Sequence, residues 1–174
     1  MPFAYYQRLT RAQQRVYRQS DEITSIPLPA VNELRTLVEA LADALTREDR
    51  LATQAMADRI LSAITAGLEV PSLRGQVLAV RPSRNWGELH GLYTPGEEGR
   101  PSRATVWMRT AQRCQVVKFR TFLRTLLHEL CHHLDYELLR LPDSFHTEGF
   151  YKRESSLLRQ LLGEGTSGEV SRDV

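Results

Sequence analysis

One run, Phe119 to Leu138, constrains this chain more than any other. Its apolar residues fall at Phe119, Phe122, Leu123, Leu126, Leu127, Leu130, Cys131, Leu134 and Leu138, the 3–4 residue spacing of an amphipathic helix. Set into that helix is His128-Glu129-Leu130-Cys131-His132. Residues i and i+4 share a helix face, so both imidazoles can reach one metal ion. Glu129 is turned about 100° from His128, beside such an ion rather than on it, where a carboxylate can hold and deprotonate a water. Four of the five histidines (His128, His132, His133 and His146) lie between positions 128 and 146.

A catalytic zinc site takes three protein ligands and leaves one position open. Asp135 lies one turn beyond His132 on the same face, where its short side chain is expected to accept a hydrogen bond from an imidazole. His133 points away from His132. Position 138 is Leu138 and no glycine stands at 135, which excludes the metzincin arrangement. The remaining candidates follow a break at Pro142: His146, Glu148 and Glu154.

The rest of the chain reads as α+β. Helices are expected over Tyr5 to Arg18, along the Leu34, Leu37, Val38, Leu41 and Leu45 stripe, and through Leu51, Ala55, Ile60, Leu61 and Ile64. Thr46-Arg-Glu-Asp49 fits a capping box opening the third helix, with Gly67 closing it. After Pro71 the texture turns to strands at Gln76–Val80, Glu88–Tyr93 and Ala104–Met108, the last two joined as a hairpin through the turn-rich Thr94 to Pro101. The sheet is expected to be small and mostly antiparallel, with the strand edge around Thr105 to Met108 aligning an extended substrate. A final helix runs from about Glu148 to Leu162. The expected organisation is an N-terminal helical region over 1–70, a core over 71–163 and a frayed polar tail over 164–174.

Composition serves mainly to exclude. Lys and Arg number 23 against 21 Asp and Glu, so the net charge of +2 gives no global pull towards nucleic acid. No apolar run is long enough for a membrane span, and the N-terminus has no apolar signal core. Two cysteines make no disulfide framework, and a reducing cytoplasm is the expected compartment. Arg8, Arg11, Arg15 and Arg18 form a basic stripe on the first helix, readable as a nucleic-acid contact or as a solvated face. Cys131 falls on the apolar seam and Cys114 is expected to be inert. His90, Tyr136 and Tyr151 read by default as exposed or core residues.

The His128-Glu129-Leu-Cys-His132 motif, followed by His146-Thr-Glu-Gly149-Phe150, resembles the SprT-like (Spartan-type) zinc metallopeptidases of the zincin superfamily. The resemblance spans roughly Leu78 to Leu162. It implies a zincin-like domain holding zinc through His128, His132 and His146, with Glu129 as general base in the hydrolysis of peptide or protein substrates. The family shows its histidine and glycine adjacent, whereas Thr147 and Glu148 intervene here. Two alternatives stand beside it. Glu154 as third ligand would match gluzincins, including peptidases that cleave phage-type repressors. A zinc-stabilised, proteolytically inactive binding protein, DNA-associated through the arginine stripe, is the other.

Overall fold

The computed structural model describes residues 1–84 and 87–165. Its architecture is α+β. A 3₁₀ turn, Ala4–Arg8, leads into α1 (Arg11–Glu22), α2 (Val31–Thr46) and α3 (Arg50–Gly67). Strand β1 (Leu73–Val80) follows, then a two-residue antiparallel pair, β2 (Ser83–Arg84) with β3 (Gly87–Glu88). The chain continues through β4 (Gly91–Thr94), β5 (Ser102–Arg109), α4 (Phe119–Glu137) and α5 (Glu148–Leu162).

Several expected boundaries move, each for a local reason. The first helix is interrupted because Thr10 caps α1: its side chain accepts from Gln13 N–H while the Gln13 side chain accepts from Thr10 N–H, a reciprocal capping box. Arg8 therefore sits in the 3₁₀ turn, and only Arg11, Arg15 and Arg18 share the exposed face of α1. Thr46 ends α2 rather than opening α3. The α3 cap is Asp49, whose carboxylate accepts from Ala52 N–H, a stronger acceptor at a helix N-terminus than a hydroxyl. With that shift Leu51 and Ala55 turn to solvent, and the small residues Thr53 and Ala57 face inward. Gly67 is the last helical residue, not the cap; the left-handed turn falls at Glu69, with φ of 56°. The Glu88–Tyr93 run is split at Leu89-His90 into the end of β3 and the start of β4. The helices over Phe119–Glu137 and Glu148–Leu162 match their expected positions, with Thr147 capping the last through Phe150 N–H. Gly163 closes it at φ 69°; the tail from 166 lies outside the described residues.

The main sheet has strand order β1-β5-β4. β1 runs parallel to β5 from Leu73 opposite Ser102 to Val80 opposite Arg109, and β4 pairs antiparallel to β5 with Gly91 opposite Val106. The sheet is thus mixed, not mostly antiparallel. The expectation that Thr105 to Met108 offers a substrate edge is corrected by the same order: β5 is the central strand and its backbone is engaged on both sides, so the edge on the α4 side is β4. The opposite edge is closed. Side chains of α3 take the place of a fourth strand along β1: Gln54 bonds Gly75 O and Val77 N–H, Asp58 accepts from Gly75 N–H, and Arg50 donates to Val77 O. Gly75 allows this approach, because a Cβ there would press on the backbone of Ala57 and Asp58.

A single apolar core joins all the layers. Leu41, Leu45, Ile60, Leu61 and Ile64 of the N-terminal helices pack in one cluster with Val77, Val106, Leu123, Leu126, Leu130, Phe150 and Leu157. Residues 1–70 contribute to the same core as 71–163. Truncating one of these buried leucines to Ala costs about 2–5 kcal/mol. Among the described residues, no helix is long and apolar enough to cross a membrane.

Candidate metal centre

The α4 periodicity buries Leu123, Leu126, Leu127, Leu130 and Leu134, leaving His128 and His132 on the rim that faces β4 and the loop before α5. That loop turns back at Pro142 and brings His146 over the helix. His146 Nε2 lies 3.0 Å from His128 Nε2 and 3.0 Å from His132 Nε2. Among the described residues, these three are the histidine, cysteine and acid side chains grouped closely enough to hold one ion.

The hydrogen bonds on the far side of two of the rings fix their tautomers. His128 Nδ1 stands 2.8 Å from a Glu154 carboxylate oxygen, which can only accept, so Nδ1 carries the proton. Ser144 Oγ donates to Asp135 Oδ2 at 2.7 Å and therefore accepts from His132 Nδ1, also at 2.7 Å. In the neutral rings the Nε2 atoms are then the ones that carry the lone pairs, aimed with His146 at one point. Burial, reinforced by His128 and His146, pushes the His132 imidazole down to about 3, and burial also lowers His146. Neutral imidazoles with converging lone pairs suit a divalent cation. A tetrahedral zinc site with Zn–N near 2.0–2.1 Å sets ligand nitrogens about 3.3 Å apart, close to the spacing found here. The donor set and its geometry fit zinc.

Glu129 lies beside this triangle and is buried, 5% exposed. Its carboxylate rests against Gly91, where a Cβ would collide with Oε1 and with Thr125 Cγ2. Burial raises its pKa to about 7; His128 and the Tyr93 backbone pull the other way. A carboxylate held near neutrality is matched to taking and returning a proton.

Glu154 is neither a ligand to the triangle nor a solvated charge. It is 4% exposed, and its second oxygen accepts from Arg124 Nη1 at 2.8 Å. Burial pushes this carboxyl up, but the His128 and Arg124 bonds more than offset that and hold it below its ordinary value. Glu148 is half-exposed and pairs with Lys152 at 2.8 Å. Asp135 does not reach His132 directly, as the sequence suggested; Ser144 stands between them. Its other oxygen pairs at 2.8 Å with Arg153, and both side chains are fully buried. Removing one partner of such a pair costs about 3–5 kcal/mol. His133 is a core histidine, with Nε2 bonded to Pro71 O at 2.7 Å and Nδ1 3.2 Å from Tyr93 Oη. Cys131 is fully buried on the apolar seam and Cys114 is exposed.

Sequence reasoning missed Gly91, Tyr93, Ser144 and Arg153. For Arg153 and Glu154 a signal was present. The α5 apolar stripe of Phe150, Leu157 and Leu161 passes through positions 153 and 154, so two charged residues occupy core-facing sites and must be paired.

The centre opens into a groove. Gly91, Tyr93, Tyr136 and Ser144 line a cleft of about 340 Å³ around the histidines and Glu129. On one flank it shares Gly91, His128 and Glu129 with a cleft of about 430 Å³ that reaches Arg124 and Tyr151. On the other it shares Tyr93 and Tyr136 with one of about 590 Å³ under the β4–β5 loop, lined by Pro95, Glu97, Arg100 and Glu137. Comparison with protein-family models, with curated proteins and with solved structures gave no match.

Proposed function

We propose that the chain is a zinc-dependent metallopeptidase of the zincin kind, similar to the SprT-like branch, hydrolysing peptide bonds in an extended substrate. One observation carries this reading. Three imidazole Nε2 atoms meet at one point, two of them on rings whose Nδ1 protons are held by outer partners, with a buried carboxylate beside them in an open groove. A structural site closes with four protein ligands, whereas three ligands beside a base leave room for water and substrate.

Zinc bound there supplies Lewis acidity towards the scissile carbonyl and towards water. The chain's own residues do the rest. Glu129 accepts the proton of the attacking water and delivers it to the leaving amine, a task for which its raised pKa suits it. Glu154 and the Ser144–Asp135 pair hold the His128 and His132 rings in the tautomer that ligation needs. The edge strand β4 offers backbone groups to an extended peptide lying along the groove. Two unpaired cysteines suit a reducing, cytoplasmic setting.

The test pairs wild type with Glu129→Gln at matched zinc loading on an unfolded protein substrate, read by mass spectrometry, with chelator as a control. The amide keeps the shape but accepts no proton, so zinc content and thermal stability should hold while cleavage falls by about 10² or more. Equal cleavage by both proteins would assign the activity to a contaminant and remove the reading. Full zinc without cleavage by either would favour the zinc-stabilised binding protein.

A further inference from the structure

The three imidazoles do not share one support. His128 and His132 ride on α4, whose apolar face is anchored in the core. His146 belongs to the loop between α4 and α5, and that loop is seated on the first residues of the chain. Tyr5 Oη donates to the backbone carbonyl of His146 at 2.8 Å. The Tyr17 ring lies 6.3 Å from that of Phe145, and Ser20 Oγ is 3.2 Å from Thr147 Oγ1. Asp21 accepts from Gly149 N–H at 2.8 Å, where a Cβ on the glycine would collide with the backbone of Ser20 and Asp21. On both sides of His146, then, the loop is bonded or packed to residues between 5 and 21.

We infer that residues 5–21 are a clamp for the third imidazole, with Tyr5 as its positioning residue, so that docking of this segment and binding of metal are one coupled equilibrium. The inference rests on the metal reading above. A metal ion ties the His146 loop to α4, and the clamp ties the same loop to α1. Each constraint lowers the entropy that the other must remove, which makes the two events mutually favourable. The coupling is reciprocal: whatever factor the docked segment adds to metal affinity, bound metal adds to the docking. The N-terminal segment thereby becomes a handle through which a partner or a covalent change could load or unload the centre without touching it.

Tyr5→Phe removes the hydroxyl and keeps the ring against Tyr17. Tyr6→Phe is the control, because Tyr6 packs on the same Tyr17 ring but its hydroxyl has no hydrogen-bond partner among the described residues. Zinc affinity of the full chain is measured by competition with a chromophoric chelator, and amide hydrogen exchange is followed with and without zinc. Tyr5→Phe should weaken zinc by about threefold to tenfold, the scale of one hydrogen bond lost from the ligand loop, and Tyr6→Phe should change it less than twofold. In wild type, zinc should slow exchange across residues 5–21, and less so in Tyr5→Phe. Tight zinc binding with equal affinity in both variants and no zinc effect on that segment's exchange would overturn the clamp and leave the metal centre standing. Absence of zinc binding by wild type would overturn both. Should Tyr5→Phe fail to fold, the exchange measurement on wild type decides alone.

Discussion

Gly91 leaves its side-chain space to Glu129. The β4 backbone passes so close to the buried carboxylate that a methyl group at position 91 would overlap Oε1, and the strand is held there by its pairing with β5. Gly91→Ala should therefore push Glu129 off its position without touching a histidine. Zinc stoichiometry should stay near one per chain, while peptide hydrolysis drops by at least tenfold. A displacement of about 1 Å is enough for a loss of that order. Paired zinc analysis and peptide turnover check it.

Glu154 and His146 should separate cleanly. His146→Ala removes a converging nitrogen, and the protein should lose most of its zinc on dialysis. Glu154→Gln keeps an acceptor oxygen for His128 Nδ1 but removes the charge and weakens the Arg124 bond. It should retain full stoichiometry at saturating zinc, with affinity reduced by about tenfold. Elemental analysis and chelator competition on the two variants distinguish these outcomes.

Acid should weaken the metal-free protein through the imidazoles. Folded His132 has its pKa lowered from 6.5 to about 3, and burial lowers His133 and His146 as well. Between about pH 3 and 6.5 the unfolded chain binds protons that folded His132 refuses, so the His132 contribution to stability rises with pH across this window and is lost on acidification. Glu129, raised from 4.5 to about 7, acts in the opposite sense between those two values. Thermal melts of chelator-treated protein should fall most steeply below about pH 4.5, where Glu129 no longer offsets His132. His132→Asn should flatten that slope.

The two thiols should differ sharply. Cys131 is fully buried, and burial first, then Asp135, drives its pKa well above the ordinary thiol value. Cys114 is exposed. One equivalent of a maleimide or disulfide reagent should react with the folded protein and two after denaturation, with peptide mapping placing the native label on Cys114.

The α4 and α5 helices were legible in the sequence because apolar periodicity and the Pro142 break determine them locally. The pairing of His128 with His132 follows from helix geometry alone. What lay beyond reach depended on distant parts of the chain. That Glu154 turns to His128 Nδ1 rather than to a metal depends on how α5 crosses α4. That β5 is central depends on a parallel pairing with β1 across some thirty residues. Thr46 lost the cap to Asp49 in a contest between two acceptors three residues apart, where the stronger acceptor prevailed.

The row of α3 side chains along β1 also has a consequence for solubility. An open three-stranded sheet presents two margins on which another chain can add a strand. With Arg50, Gln54 and Asp58 occupying one margin, growth by strand addition is polar: a newcomer can join only beside β4. Two copies stacking head to tail into a continuous ribbon would need the Gly75 and Val77 backbone groups that these side chains already occupy. The same helix that completes the core thus makes the sheet a terminus for one visiting strand rather than a seed for fibrils.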